Sequence, residues 1–333
     1  DGLQPSEIIR SKTGNPNLKY NHFDFIITNP PFGSTIKLTE QAYLKYYNLG
    51  IKEINWIDRK LKNKFELGTR DSQSTEVLFI EHCYRFLKPG SGILAIVVPD
   101  GILTNSSAQY VRDWIEEHYR IISIVSLPQD AFKANDAGVK SSVMFLQKLT
   151  EKQTEGIIAA KQKLQDKLWD KPQYSKEIEN LEKEKQGVIK QHTGFDYSMI
   201  CWDSEENQRN LKEFDKGVIE RLSEVLLSDM SGVSLSTKDL KVYARTEEFK
   251  LWKQDITNQY NDKINEIKES LQEEFLKVLR EEVTNYPIFM AITENIGYDA
   301  TGRKTGINEL NAVAVELGKF ITEINSGQDS FFV

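Results

Sequence analysis

The run Asn29-Pro30-Pro31-Phe32, with Gly33 behind it, joins residue types that suit one task. That task is gripping a planar group with an exocyclic amine. Such an amine is a poor nucleophile, because its lone pair is delocalised into the ring. Two acceptors aimed at its hydrogens favour a tetrahedral nitrogen and free the lone pair. The Asn29 side-chain oxygen can be one acceptor and the Pro30 carbonyl the other. Pro30 and Pro31 fix φ at about −65° and bring no competing N–H donor, and Pro30 holds Asn29 in extended geometry. Phe32 offers a face for a flat ring, worth ~1–3 kcal/mol for a base on an aromatic. Gly33 lets the backbone turn away. A plainer alternative is a strand end, a rigid turn and Phe32 in the core.

The surrounding elements must place this tetrapeptide. Residues 24–28 read as a buried strand, so the tetrapeptide falls at a strand's carboxyl end, where open α/β sheets hold ligand chemistry. Residues 1–22 read as polar loop, punctuated by Pro5, Gly14 and Asn15-Pro16. Residues 76–87 have one apolar helical face, stopped by Lys88-Pro89-Gly90. Residues 93–98 are continuously apolar, as in a strand buried on both faces. Asn105-Ser106-Ser107 can cap a helix whose inner face carries Val111, Trp114 and Ile115. Strands follow over 121–127 and 141–147, separated by a loop carrying Phe132, Asn135 and Asp136. This alternation predicts an α/β fold with a parallel, doubly wound sheet.

After Thr150 the composition changes: residues 151–190 hold eight acidic and nine basic side chains, which suggests an exposed helical pair broken at Pro172. Leu211, Phe214, Val218, Leu222 and Val225 recur at helical spacing, and a longer stripe from Phe249 to Val278 implies one long amphipathic helix. Asn285-Tyr286-Pro287 ends it and residues 288–292 read as a strand. The expected organisation is therefore 1–150, the later part of a catalytic domain; 151–285, a mainly helical insertion; and 286–333, a return to the sheet with a C-terminal helix.

The formal charge of −7 argues against a free-standing grip on DNA, which needs basic surface to neutralise phosphates. A locally basic stretch (Lys52, Arg59, Lys60, Lys62, Lys64, Arg70) follows the tetrapeptide and reads either as a solvated face or as a nucleic-acid contact. Cys83 and Cys201 are far apart, and His22, His82, His118 and His192 show no ligand spacing, so neither a disulfide framework nor a metal site is expected. No apolar run is long enough to span a bilayer and no signal peptide is visible.

The tetrapeptide resembles the Asp/Asn-Pro-Pro-Tyr/Phe motif of amino methyltransferases that use S-adenosylmethionine. Gln73-Ser74-Thr75-Glu76, Phe86-Leu87-Lys88-Pro89-Gly90, Val98-Pro99-Asp100-Gly101, Leu127-Pro128-Gln129 and Val139-Lys140-Ser141-Ser142 follow in order. Together they look like the modification (methylase) subunit of type I restriction–modification systems, an adenine-N6 DNA methyltransferase family. The likeness covers about residues 20–150 and resumes at Ile296-Gly297-Tyr298-Asp299 and Gly302-Arg303. It implies a partial Rossmann-like methyltransferase sheet, S-adenosylmethionine as donor, and Asn29, Pro30, Pro31 and Phe32 as catalytic residues. It also implies double-stranded DNA, a DNA-specificity subunit and a restriction subunit as partners, with a cytoplasmic location. The nitrogen of a flipped adenine would attack the donor's methyl group directly, without a general base or metal. In that family the donor-binding glycine loop lies upstream of the motif, and none is found here; Gly90-Ser91-Gly92 is a turn between helix and strand. The chain is thus expected to be N-terminally incomplete and inactive alone. The alternatives are a related amino methyltransferase acting on RNA or protein glutamine, and a non-catalytic assembly module for specificity or restriction subunits.

Overall fold

The computed structural model of the chain describes residues 2–37, 39, 42–52, 54–61, 68–133, 138–227 and 236–326. In chain order the first elements are α1 (Ser6–Thr13), β1 (Phe25–Thr28), β2 (Thr35–Lys37), α2 (Trp56–Leu61), β3 (Ser72–Ser74), α3 (Thr75–Phe86), β4 (Ile93–Pro99) and α4 (Asp100–Thr104). Next come α5 (Gln109–His118), β5 (Tyr119–Ser126), β6 (Ser141–Lys148), α6 (Glu151–Trp169), α7 (Ser175–Gln191), α8 (Glu205–Asn210), α9 (Lys216–Leu227) and α10 (Thr237–Tyr243). The chain ends with α11 (Glu247–Glu282), β7 (Phe289–Ile292), β8 (Ile296–Tyr298), β9 (Lys304–Asn308) and α12 (Leu310–Ser326). It divides into two compact units, Asp1–Leu164 with Val278–Val333, and Gln165–Lys277.

The first unit is mixed α/β, built on a five-stranded sheet in the order β1-β4-β6-β5-β7. β1 runs parallel to β4 and β7 parallel to β5, while β6 is antiparallel to both its neighbours. The sheet is therefore mixed, where the alternation of elements predicted a wholly parallel one. A parallel return needs a crossover, usually a helix. The described residues between β5 and β6 contain no α-helix, and the chain comes back beside β5 in the opposite sense.

Leu94, Ile96 and Val98 of β4 and Leu146 of β6 are fully buried on one face, with Met144 at 1% exposure. They pack with Val77, Ile80 and Cys83 of α3 and Val111, Trp114 and Ile115 of α5. Each buried Leu, Ile or Val contributes about 1.5–3 kcal/mol. The β-branched run of β4 fits this doubly flanked position, whereas β1 differs from its expected burial. It is an edge strand, with Phe25 47% and Ile27 78% exposed, and only Ile26 turns towards the core.

Lys148, at the end of β6, fastens the segment that leads into β1. Its ammonium donates to Asn21 Oδ1 (2.7 Å), Tyr84 O (2.8 Å) and Leu87 O (3.0 Å). Burial pulls its pKa down to about 8.

Two local expectations are corrected. Residues 1–22 are not all loop: α1 occupies Ser6–Thr13, with Gly14 as a left-handed C-cap at φ 68°. Pro5 and Gly14, read as breakers, are the helix's N-cap and C-cap, and the left-handed end is a position that glycine favours. Asn105 makes no side-chain cap bond, and a 3-10 turn, Ser106–Ala108, precedes α5. Lys62, Lys64, Asn135 and Asp136 lie outside the described residues.

In the second unit a core of Phe195, Ile200, Leu211, Leu222, Val242, Tyr243 and Phe249 gathers the short helices. The long stripe forms α11, 36 residues, with Ile264, Leu271 and Phe275 buried. Tyr174 and Lys171 both bond Glu274 at 2.5 Å. Leu211 and Phe214 lie in the turn between α8 and α9, so of that series only Val218, Leu222 and Val225 are helical, all on α9.

His82 on α3 is buried, and its Nδ1 lies 2.7 Å from the Tyr47 hydroxyl, which donates to Leu3 O at 2.6 Å. Burial first, and then Arg85, lowers the His82 pKa from 6.5 to about 4. The neutral ring is the folded form, so its stabilisation is complete above pH 6.5 and is lost as pH falls towards 4. The unfolding free energy should drop over this window by on the order of 2–3 kcal/mol. Urea titrations of wild type and His82→Gln at pH 7.5 and 5 check it: the variant's stability should change less between the two values.

Candidate active site

All strands of the sheet except β6 point the same way, so the chain segments following β1, β4, β5 and β7 share one edge. Thr28 pairs with Ile96 and Ser126 with Ile292 near this edge. Asn29-Pro30-Pro31-Phe32 leaves β1 there. Asn29 and Pro31 are exposed, Pro30 is buried and Phe32 half-buried. Gly33 follows at φ 73°, a left-handed conformation that favours glycine.

The loop is clamped from 44 residues away by Thr75, the first residue of α3. The Thr75 hydroxyl donates to Pro31 O at 2.6 Å, and its backbone N–H donates to Ser34 O at 3.0 Å. An α-helix leaves its first N–H groups without internal partners, and here the loop's carbonyl satisfies one. β2 and β3 pair antiparallel beside it, Thr35 opposite Ser74. Gln73 continues the support: its amide donates to Leu49 O at 2.5 Å and to the Tyr110 hydroxyl at 2.8 Å. The Arg70 guanidinium covers the Tyr110 ring at 3.9 Å.

With the Pro31 carbonyl taken by Thr75, two of the loop's other acceptors suit an amine, the Asn29 side-chain oxygen and the Pro30 carbonyl. Neither the Asn29 side chain nor the Pro30 carbonyl has a hydrogen-bond partner among the described residues. Beside them the Phe32 ring meets the Phe132 ring edge-on, centroids 6.2 Å apart and planes at 84°. The β4 and β6 ends are tied together at the same edge, where Ser142 Oγ donates to Asp100 Oδ1 at 2.7 Å and Asp100 N donates to Lys140 O at 2.9 Å. Lys140 Nζ in turn donates to Leu127 O.

The structure thus brings the four sequence-singled residues together in one anchored loop and adds two that their chemistry did not mark. Thr75 was only part of a familiar string, since a helix-starting threonine gives no sign of a distant partner. Phe132 was only a loop aromatic, and its proximity to Phe32 depends on the β5–β6 connection.

Other reactive groups stand apart. Burial pushes the Cys83 thiol up to about 12, so it is protonated and inert at neutral pH. Among the described residues no cluster of three His, Cys, Asp or Glu side chains could hold a metal ion, and no helix is long and apolar enough to cross a membrane. A methyl donor fits less well than a base. Among the described segments after β1, β4, β5 and β7, none is a glycine-rich loop that could cradle a nucleoside and its amino-acid tail.

Solved structures similar to parts of the chain include the M protein of the type I restriction enzyme EcoKI. It is 23% identical at a TM-score of 0.25, over 38% of this chain and 21% of that one. A type I restriction–modification methyltransferase subunit from Streptococcus thermophilus is 20% identical at a TM-score of 0.28, over 42% of this chain and 26% of that one. A chain assigned to the class I S-adenosylmethionine-dependent methyltransferases, from Listeria monocytogenes, is 24% identical at a TM-score of 0.28, over 38% and 32%. The chain thus spans a third or less of the length of the solved chains it matches. No protein of curated function matches it. A profile of the N-6 DNA Methylase family matches residues 6–222, well over half of the sequence, and the chain belongs to that family.

Proposed function

We propose that the chain supplies the base-binding part of an adenine-N6 DNA methyltransferase site, in the methylase subunit of a type I restriction–modification system. The observation that carries this is the pair of open acceptors, Asn29 and Pro30, beside the half-buried Phe32 ring. An adenine in a duplex hides its amine in the stack, so the base is flipped out. Asn29 Oδ1 and the Pro30 carbonyl then accept the two amine hydrogens, which raises the nucleophilicity of the nitrogen. Phe32 carries the face of the ring and Phe132 bounds the slot. Pro31 gives its carbonyl to Thr75 and keeps the loop still. No proton has to be removed before methylation, so no general base is assigned; the rate advantage comes from alignment.

The donor in this reading is S-adenosylmethionine, which supplies the methyl group. Because the described loops do not form a cradle for it, no donor contact is assigned to these residues. Residues 1–150 act as the base-binding part of the catalytic domain, 151–285 as a mainly helical insertion, and 286–333 as the segment that completes the sheet and ends in a helix. The working enzyme would act on double-stranded DNA in the cytoplasm, with a specificity subunit choosing the sequence and a restriction subunit joining the assembly.

In the assembled enzyme, Asn29→Ala should abolish incorporation of labelled methyl groups into unmodified DNA while DNA affinity stays within about twofold. Near-normal methylation by this variant would remove Asn29 from the site. Phe32→Ala should lower turnover by roughly 10–100-fold, in line with ~1–3 kcal/mol of stacking, and Phe32→Tyr should retain most of it. Calorimetry of the 333-residue chain with S-adenosylmethionine should show no micromolar binding; a micromolar dissociation constant would place the donor site among these residues.

A further inference from the structure

The β8–β9 hairpin leaves the same edge of the sheet as the Asn29 loop. β7 ends at Ile292 opposite Ser126, and Thr293 then bonds Ser126 O through both its N–H and its hydroxyl at 2.9 Å. β8 begins three residues later and pairs antiparallel with β9. Every residue from Thr301 to Asn308 is exposed.

The hairpin is ordered by two carboxylates turned back onto its own backbone. Asp299 accepts from the Thr301 hydroxyl (2.7 Å), Thr301 N (2.8 Å) and Arg303 N (3.0 Å). Glu309 accepts from Glu294 N (2.7 Å), Asn295 N (3.1 Å) and Asn295 Nδ2 (3.2 Å), fixing the hairpin's base. These bonds hold both carboxyls below the usual carboxylate range, the Asp299 shift led by the Thr301 hydroxyl and the Glu309 shift by Glu294 N. The side chains of Arg303 and Lys304 are left pointing into solvent. Neither forms an ion pair or side-chain hydrogen bond among the described residues. Other lysines near this edge are engaged, Lys133 with Asp130 and Lys140 with Leu127 O.

We propose that Arg303 and Lys304 contact the phosphate backbone of duplex DNA, about half a helical turn from the base held at Asn29. The spacing of the two strands that lead into the loop and the hairpin fits this role. β1 and β7 stand at opposite ends of the five-strand order, so four inter-strand steps of about 4.8 Å separate them, roughly 19 Å in all. A duplex rises about 3.4 Å per base pair, so this distance is five to six base pairs. DNA lying along the edge and presenting one nucleotide to the β1 loop would pass the hairpin on its next backbone crossing. Because the turn is already ordered, binding costs little backbone freedom, and only the two long side chains lose rotamer freedom.

The inference rests on the DNA reading of the site, and a binding experiment tests it apart from that reading. Binding of a fluorescent 30-base-pair duplex by the full 333-residue chain is measured between 20 and 150 mM salt, for wild type and for the double variant Arg303→Ala/Lys304→Ala. Each phosphate contact contributes about 0.9 to the log–log salt slope, so the double variant should lose about 1.8 of it and bind at least tenfold more weakly at the lowest salt. A charge-matched control, Lys152→Ala/Lys163→Ala on α6, should leave the slope unchanged. Both variants keep Asp299 and Glu309, and circular dichroism verifies their fold. Wild-type binding with an unchanged slope in the hairpin variant, or an equal loss in the control, would overturn the hairpin contact alone. No wild-type binding at 20 mM salt would likewise overturn the hairpin contact, whereas the DNA reading of the site falls only if Asn29→Ala leaves methylation by the assembled enzyme near normal.

Discussion

A single hydrogen bond, from the Thr75 hydroxyl to the Pro31 carbonyl, sets the geometry on which the site depends. A neutral bond of this kind is worth only about 1 kcal/mol net, so its weight is geometric. It occupies the Pro31 carbonyl and leaves the Pro30 carbonyl open. It also joins a loop on an edge strand to the start of a core helix. β1 is otherwise weakly held, with one strand neighbour and a largely exposed outer face. Thr75 and Lys148 compensate from two ends: Lys148 holds the approach to β1 against the last carbonyls of α3, and Thr75 holds the exit from β1 against its first turn.

The mixed sheet serves the same arrangement. Because β6 runs against its neighbours, the segments following four parallel strands and the segment leading into β6 collect at one edge. Phe32, Asp100, Phe132, Ser142 and Thr293 all reach this edge from different parts of the chain. A wholly parallel sheet would have placed Ser141 and Ser142 at the opposite end, and the Ser142–Asp100 bond could not form. The proposed base slot, the β4–β6 tie and the hairpin carrying Arg303 and Lys304 therefore share one structural origin.

The sequence made much of this legible where the signal was local. Continuous apolar runs located β4, β5 and β6, spacing of three and four located α3, α5 and α11, and the Asn29 tetrapeptide marked the candidate site. What stayed hidden was long-range. The reversed sense of β6 depends on the path of a 14-residue connection, which carries no periodicity. The exposure of β1 depends on its position in the strand order, which an apolar run does not reveal. Thr75 and Phe132 act through partners 44 and 100 residues away, and α1 was obscured because its two boundary residues look like loop residues until a helix is seen between them.

Turnover of the assembled methylase with Thr75→Val asks whether Thr75 positions the proposed base-binding loop. Valine keeps the branched shape at the start of α3 and removes only the hydroxyl. The account predicts a kcat reduced on the order of 10–100-fold, as expected for a misplacement of under about 1 Å. KM for DNA should stay near that of wild type, the melting temperature should shift by no more than about 5 °C, as expected for a loss of about 1 kcal/mol, and Thr75→Ser should restore most of the rate. Wild-type kcat in Thr75→Val, with the fold intact, would contradict it.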